Sequence, residues 1–324
     1  MKIEVSVVCL TYNQEKYVGK MLESLVKQKT NFEYEILVHD DASTDDTQKI
    51  ISDYAEKYPE LIRPILQKEN QFSKGINPNI KFNYPRVRGK YIAYCEGDDY
   101  WLTSDKLQKQ YDALQQNQSC TFCVHDVQCI YPDGEFTKKI FPPVPLARGV
   151  ITADKYMRNE LRDSGWLFQT SSYFIRTDII KKFVNEYSNR YPVGDLPLVL
   201  FCLQYGNCYY LNETMSCYRL SSGGYMTALS SKTKKISHCK KMIAGHVDFD
   251  QRTKGKYHDY FEYAILNKEV EILLLEKNYK DILKKKYRPV RHKMNKKKKL
   301  LIVIGCVFPS FADWLERKKN GWTE

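Results

Sequence analysis

A short apolar run that closes on two adjacent aspartates, Tyr91-Ile-Ala-Tyr-Cys-Glu-Gly-Asp98-Asp99-Tyr-Trp101, constrains this chain more than any other stretch. Tyr91 to Cys95 is brief, apolar and rich in β-formers, which predicts a buried parallel strand. Gly97 lets the backbone turn sharply, so both carboxylates leave the strand at its C-terminal end, the edge where open α/β sheets bind ligands. Neighbouring carboxylates repel one another unless something positive lies between them. A hard divalent cation that completes its coordination with substrate phosphates is one remedy. A solvated turn that caps a helix is the plainer alternative for this pair alone.

The first hundred residues repeat that grammar. Val5 to Leu10 reads as a strand, followed by a helix from about Glu15 to Lys27 with Val18, Met21, Leu22 and Leu25 on one face and Asn13 as its cap. Glu35 to His39 is a second strand, and the helix after it turns Ile50, Ile51, Tyr54 and Ala55 inward. A third strand falls near Leu61 to Leu66. Ser104 is the expected cap of a helix bearing Leu107, Tyr111 and Leu114. This alternation predicts an α/β fold, a mostly parallel sheet with helices on both faces. Past residue 120 the pattern turns mixed. Thr121 to Tyr131 with Pro132-Asp133-Gly134 reads as a hairpin, and Phe141 to Pro145 as a loop. Further strands are expected at Ser171 to Arg176, Asn207 to Leu211 and Met215 to Leu220, with a helix near Asp178. A long helical pattern then runs from Tyr257 to about Lys286. The expected division is a domain over 1–230, in halves 1–118 and 119–230, and a helical, basic and apolar C-terminal extension over 231–324.

The formal charge of +12 is concentrated, because Lys277 to Lys299 carries twelve Lys/Arg against Asp281 and leaves about +1 for the rest. A nucleic-acid-binding surface is therefore not expected. The ten cysteines lack CxxC or zinc-type spacing, which predicts reduced thiols rather than disulfides or zinc. Met1-Lys-Ile-Glu leads straight into a strand, so no secretion signal is expected, and the predicted location is cytoplasmic.

Three polar clusters should converge on one sheet edge: Leu10-Thr11-Tyr12-Asn13 after the first strand, Asp40-Asp41 after the second, and Asp98-Asp99 after the fourth. A carboxylate such as Asp41 can accept hydrogen bonds from a base N–H or a ribose hydroxyl. Asp45 and Asp46 suit the first turn of a helix, where acids favour the dipole. Asp195, between Gly194 and Leu196-Pro197, has two readings, helix cap or catalytic carboxylate. Lys74 could reach a diphosphate, and Trp101, Trp166 and Tyr173 could stack on a sugar, although lone loop lysines more often face solvent and aromatic residues more often pack in the core. His39 is expected to pack at a strand end; His125, His238 and His246 match no metal pattern.

Val-Ser-Val-Val-Cys-Leu-Thr-Tyr-Asn, His-Asp-Asp-Ala-Ser-Thr-Asp-Asp-Thr and Glu-Gly-Asp-Asp-Tyr-Trp, in this order and spacing, resemble the GT-A glycosyltransferases of family 2 over roughly residues 3 to 225. Gly194-Asp195-Leu-Pro-Leu-Val and Tyr218-Arg219-Leu-Ser-Ser-Gly-Gly224 match that family's second half. The resemblance implies a GT-A (Rossmann-like) fold and a nucleotide-diphosphate sugar, most readily a UDP-sugar, lying across the crevice. It places Leu10, Thr11, Tyr12, Asn13, Asp41, Lys74, Asp98 and Arg219 at the donor, Asp98 and Asp99 at Mn²⁺ or Mg²⁺, and Asp195 as base. Trp101 and Trp166 are the expected contacts to a saccharide or lipid-linked acceptor. One carboxylate base with no protein nucleophile implies inversion at the anomeric centre. Surface polysaccharide or glycolipid assembly is the expected setting. Two departures stand out: Ser221 where the family often has histidine, and Ala42 where it usually has glycine. A nucleotidyltransferase of similar fold and a catalytically degenerate nucleotide-sugar binder are the rival readings.

The apolar segment Leu300 to Ala312 follows Lys296 to Lys299 and precedes Asp313-Trp314. As helix it would reach about 20 Å, short of a hydrocarbon core of roughly 30 Å, and Pro309 interrupts it. A basic cluster beside a short apolar stretch predicts peripheral attachment of residues 277–315 to an anionic membrane surface, on the inner face of the cell membrane. A solvated linker leading to a docked helix is the alternative.

Overall fold

The computed structural model describes residues 2–186, 194–220, 229, 231–308 and 310. The chain divides into two compact units, residues 1–187 with 195–222 and residues 188–194 with 223–324. In the first unit the strands β1 (Ile3–Thr11), β2 (Glu33–Asp40), β3 (Ile62–Leu66) and β4 (Tyr91–Tyr94) form a parallel block in the order β3-β2-β1-β4. Val5 to Val8 of β1 pair with Tyr91 to Tyr94 of β4, and Val7 to Thr11 pair with Ile36 to Asp40 of β2. This register brings the ends of β1, β2 and β4 to one edge. The α/β class holds, and the sheet becomes mixed beyond β4. β9 (Phe174–Arg176) lies antiparallel between β4 and β6 (Cys120–Ile130), and β10 (Asn207–Arg219) runs parallel to β6. β5 (Tyr100–Trp101), β7 (Phe136–Phe141) and β8 (Gly149–Ile151) add antiparallel pairings.

The helix α1 (Val18–Val26) buries Val18, Met21, Leu22 and Leu25, the face its periodicity dictates, against Val5, Val7, Ile36 and Val38. It starts three residues later than expected. Asn13 stands at φ 51, and its side-chain Oδ1 accepts the Thr44 amide at 2.8 Å, so it ties two loops together instead of capping α1. α2 (Thr47–Lys57) begins after Asp45 and Asp46, so these acids lie ahead of its first turn and not within it as expected; the Asp45 carboxylate accepts the Thr47 amide at 3.0 Å. α3 (Lys106–Gln116) follows Asp105, and Ser104 does not cap it; the Ser104 carbonyl accepts the Lys29 amide at 2.6 Å. The expected hairpin is β6–β7, with Gly134 at φ 96 in its turn. The two strands expected at 207–220 are one strand, β10, kinked by register shifts between Leu211 and Ser216. α4 (Ala153–Arg158), α5 (Thr177–Glu186) and α6 (Asp195–Tyr205) complete this unit.

A buried ion network pins the parallel block. Glu35, with no exposed surface, accepts Ser6 Oγ at 2.7 Å, the Arg88 amide at 3.0 Å, Arg88 Nε at 2.8 Å and Arg63 at 3.3 Å. The chain passes β1 so closely here that a Cβ on Gly89 would meet the Ser6 amide nitrogen at 2.5 Å. All ten cysteines are free thiols, and all but Cys306 are buried.

In the second unit α7 (Lys232–Arg252) packs against α8 (His258–Leu275). The helix expected to continue to Lys286 breaks at Lys277, which stands at φ 61, and Asn278 caps a new turn over Tyr279–Ile282. Val270, Tyr279, Ile282, Val290 and Ile302 form the local core. α9 (Lys296–Val307), capped by Asn295, buries Ile302 and Gly305 there and exposes Leu300, Val303 and Val307, with Phe308 beyond them. Among the described residues no helix is long and apolar enough to cross a membrane. Pro309, Asp313 and Trp314 lie outside the described residues, as do Ser221 and Gly224.

Candidate active site

Backbone pairing assembles the site. The Asp41 amide donates to the Thr11 carbonyl at 3.0 Å and the Gly97 amide to the Leu10 carbonyl at 2.9 Å, so the β1 end lies between the two aspartate pairs. A Cβ on Gly97 would fall 2.0 Å from Gln14 Oε1 and 2.7 Å from Thr11 Cγ2, so any larger residue here would have to displace those two side chains. Ala42 stands at φ 66, a left-handed backbone that glycine adopts at lower cost, which gives the family's usual glycine at this position a physical reason.

The two aspartates after β2 have different partners. Asp40 is wholly buried and accepts Thr11 Oγ1 at 2.9 Å, the Ser43 amide at 2.9 Å and Gln48 Nε2 at 2.7 Å, a structural knot. Asp41 points to the segment 69–75 and accepts the Gln71 and Phe72 amides at 2.7 and 3.0 Å. His39 lies 3.7 Å from Asp41 and against Phe82, packed at the strand end as expected, and burial lowers its pKa. Tyr12 is 49% exposed, whereas Lys74 pairs with Glu69 on the loop that clasps Asp41.

Carboxylates crowd the other side of the crevice. Burial pushes the Asp99 carboxyl well up, and the charges of Asp98 and Glu96 push it further, against the Arg219 amide that donates to it at 2.9 Å. Burial also raises Asp98. Glu96 is pushed up to about 8 by burial, then by the charges of Asp98 and Asp195. Asp195, ninety-nine residues later in the sequence, is therefore close enough for its charge to act on Glu96. It opens α6, accepts the Leu196 amide at 2.8 Å, and is raised by burial, so it serves the helix end and the acid cluster at once. Glu160, in the turn after α4, is pushed up to about 7 by burial and then by the Asp195 charge, against the hydrogen bond from the Leu167 amide. The sequence reading missed both glutamates. Glu96 stood two residues from Asp98, at the spacing from which a second donor could have been inferred; Glu160 stands in no motif.

Three expected contacts take other roles. Trp101 is a core residue, 4% exposed, with the Lys106 ammonium 4.0 Å from its ring, so an acceptor sugar cannot stack on it. Lys106 is itself buried, donates to Gln110 at 2.7 Å, and is pulled down to about 7 by burial. Arg219 does not aim at a diphosphate: its guanidinium donates to the carbonyls of Asp98, Tyr131 and Pro132 at 2.9 to 3.1 Å and lies 4.2 Å from the Tyr17 ring. Tyr173 is buried and donates to the Phe168 carbonyl at 3.1 Å. Trp166, in contrast, is 39% exposed, with Phe141 and Tyr218 against its ring.

No group of three His, Cys, Asp or Glu side chains encloses a metal position among the described residues. The donor set still fits a hard cation. Glu96, Asp98 and Asp99 are oxygen donors whose carboxyls are raised by burial, and Glu96 and Asp99 also by like charge; a divalent ion would relieve both effects. A site of one or two carboxylates completed by phosphate oxygens suits Mg²⁺ or Mn²⁺ better than an all-protein cage.

The family model for glycosyl transferase family 2 matches residues 6–183, more than half of the chain. The chain belongs to glycosyl transferase family 2. An uncharacterised protein of Mycobacterium tuberculosis is 34% identical over 233 residues, a match that covers 72% of this chain and 63% of that relative. The chain thus aligns with less than two thirds of that relative's length. A putative teichuronic acid biosynthesis glycosyltransferase of Bacillus subtilis, TuaG, is 32% identical over 130 residues, 40% of this chain and 49% of that one. Residues 1–349 of S. aureus TarS, solved with UDP-GlcNAc, superpose with a TM-score of 0.62 at 18% identity, covering 83% of this chain and 73% of that one. The mannosyltransferase PcManGT of Pyrobaculum calidifontis, solved with GDP-Man and Mn²⁺, gives 0.53 at 13% identity over 95% of this chain and 87% of that one. These likenesses establish the GT-A α/β fold of the family-2 chain.

Proposed function

We propose that this family-2 chain is an inverting, metal-dependent glycosyltransferase that moves a sugar from a nucleotide-diphosphate sugar to an acceptor hydroxyl. The observation that carries the reading is the convergence of Glu96, Asp98, Asp99 and Asp195 on one crevice beside Thr11 and Asp41. Thr11, Tyr12 and Asp41 flank the nucleoside. Asp98 and Asp99, with Glu96 behind them, hold Mn²⁺ or Mg²⁺. That ion, when bound, neutralises charge developing on the departing diphosphate. Asp195 takes the proton of the acceptor hydroxyl, which attacks the anomeric carbon opposite the leaving nucleotide and inverts it. A UDP-sugar is the favoured donor, since the UDP-GlcNAc complex is that of a fold neighbour. Surface polysaccharide or glycolipid assembly is the favoured setting, in keeping with the teichuronic acid relative.

A thermal-shift panel of UDP-glucose, UDP-N-acetylglucosamine, GDP-mannose and dTDP-glucose with and without Mn²⁺ tests the donor assignment. A donor at about 100 times its Kd stabilises the native state by about 2.7 kcal/mol, a rise of several degrees. The rise should need Mn²⁺ and vanish with EDTA. No shift from any donor at millimolar concentration would defeat the reading.

The second unit supports peripheral membrane attachment. Leu300, Val303, Val307 and Phe308 form an exposed apolar stripe directly after Lys296–Lys299. Ten free thiols suit the reducing side of the cell membrane. Co-sedimentation with phosphatidylserine vesicles should be strong at low salt and weaken as salt rises. Equal binding to purely zwitterionic vesicles would exclude the electrostatic part.

A further inference from the structure

The crevice holds one carboxylate that the proposed reaction does not use. Glu160 has one oxygen fixed by the Leu167 amide at 2.8 Å, which locks its side chain to the segment that carries Trp166. Its other oxygen makes no hydrogen bond among the described residues. Its like-charged neighbour is Asp195. A half-buried carboxylate set beside a second one gains nothing for folding and calls for hydrogen-bond donors from outside the chain. The same segment carries Trp166, 39% exposed, with Phe141 at 5.5 Å and Tyr218 at 5.9 Å from its ring. Tyr218 precedes Arg219, whose amide donates to Asp99 at 2.9 Å, so this ring stands near the acid cluster. An exposed aromatic ring and a carboxylate acceptor on one segment match the surface of a pyranose, apolar on one face and ringed by hydroxyls.

Resting on the transferase reading above, we propose that Glu160 seats the acceptor: a saccharide ring lies on Trp166, and Glu160 accepts a hydrogen bond from a ring hydroxyl next to the one facing Asp195. The acceptor class is therefore a saccharide ring and not a ringless polyol. In the transfer the acceptor oxygen bonds to the anomeric carbon, the bond from that carbon to the diphosphate oxygen breaks, and the acceptor proton goes to Asp195. Glu160 takes no proton; it fixes the angle of attack.

The test follows nucleoside diphosphate release from the donor that stabilises the full chain most, with Mn²⁺. Release is compared in water, in glycerol, and with the methyl α- and β-pyranosides of glucose, galactose and mannose. In the wild type at least one glycoside should accelerate release more than glycerol does. In Glu160→Gln and Glu160→Ala the ratio of glycoside-stimulated release to release into water should fall at least tenfold, through the glycoside KM. A ratio retained in both variants overturns the proposal, as does a wild type in which no glycoside outperforms glycerol. Glu160→Gln keeps the shape and the Leu167 bond, so it carries the comparison if the alanine variant does not fold. Failure of the underlying reading is distinct: the wild type would then release no nucleoside diphosphate, or Asp195→Asn would release it at the wild-type rate.

Discussion

Asparagine at Asp195 should slow nucleoside diphosphate release by about 10²- to 10⁴-fold, the usual contribution of a positioned general base. The substitution is nearly isosteric, and the amide oxygen can still accept the Leu196 N–H that Asp195 accepts at 2.8 Å. What disappears is the ability to take a proton. The donor-induced rise in melting temperature should survive, because the nucleoside and cation contacts lie on other residues. Burial raises the Asp195 carboxyl, so its basic form is present above that raised value and is lost as the pH falls through it. Wild-type activity should therefore drop on the acid side at a pH above the ordinary aspartate range, and the residual activity of the asparagine variant should lack that limb. An unchanged rate would remove Asp195 from the chemistry and leave a nucleotide-sugar binder.

The largest effect on stability is expected at Glu35, remote from the chemistry. Its buried carboxylate accepts four hydrogen bonds from Ser6, Arg88 and Arg63, which join β1, β2, β3 and the segment before β4. Alanine there leaves the Ser6 hydroxyl and the Arg88 amide without their acceptor. Removing one partner of a buried ion network costs about 3–5 kcal/mol, and the half-exposed Arg88 and Arg63 place this case near 3 kcal/mol. Burial pushes the Glu35 carboxyl up, but the bonds from Arg88 and Ser6 outweigh it, so the net shift is downward. A lowered folded-state pKa gives stability that is present above the unfolded value, near 4.5, and lost as the pH falls toward the folded one. Urea titrations of Glu35→Ala should show a lower midpoint at pH 7 and a weaker acid dependence. A loss under about 1 kcal/mol would mean that the network is incidental.

The parallel block was legible because a buried strand and a one-faced helix each leave a period in the sequence. β1, β2 and β4 end where their polar clusters begin, and α1 buries the four residues its spacing selects. The carboxylate clusters at 40–41 and 98–99 were legible for the same reason. What escaped was whatever depends on a partner far along the chain. Arg219 binds the Asp98 carbonyl across 121 positions, so its charge serves the loop below Asp98 and not a phosphate. Trp101 looked available for stacking, but Lys106, five residues on and of a type that usually faces solvent, folds inward over it. Asn13 resembled a cap until its left-handed backbone aimed it at Thr44. Glu160 had no local pattern at all; the Asp195 charge acts on it across thirty-five positions of sequence.

The pairing of the β1 end with both flanking loops reaches beyond local order. The Asp41 amide rests on the Thr11 carbonyl and the Gly97 amide on the Leu10 carbonyl, so consecutive residues of one strand hold the loop of Asp41 and the loop of Asp98 in step. A bulkier residue at Gly97 would push first on the side chains of Gln14 and Thr11 and leave this main-chain tie in place.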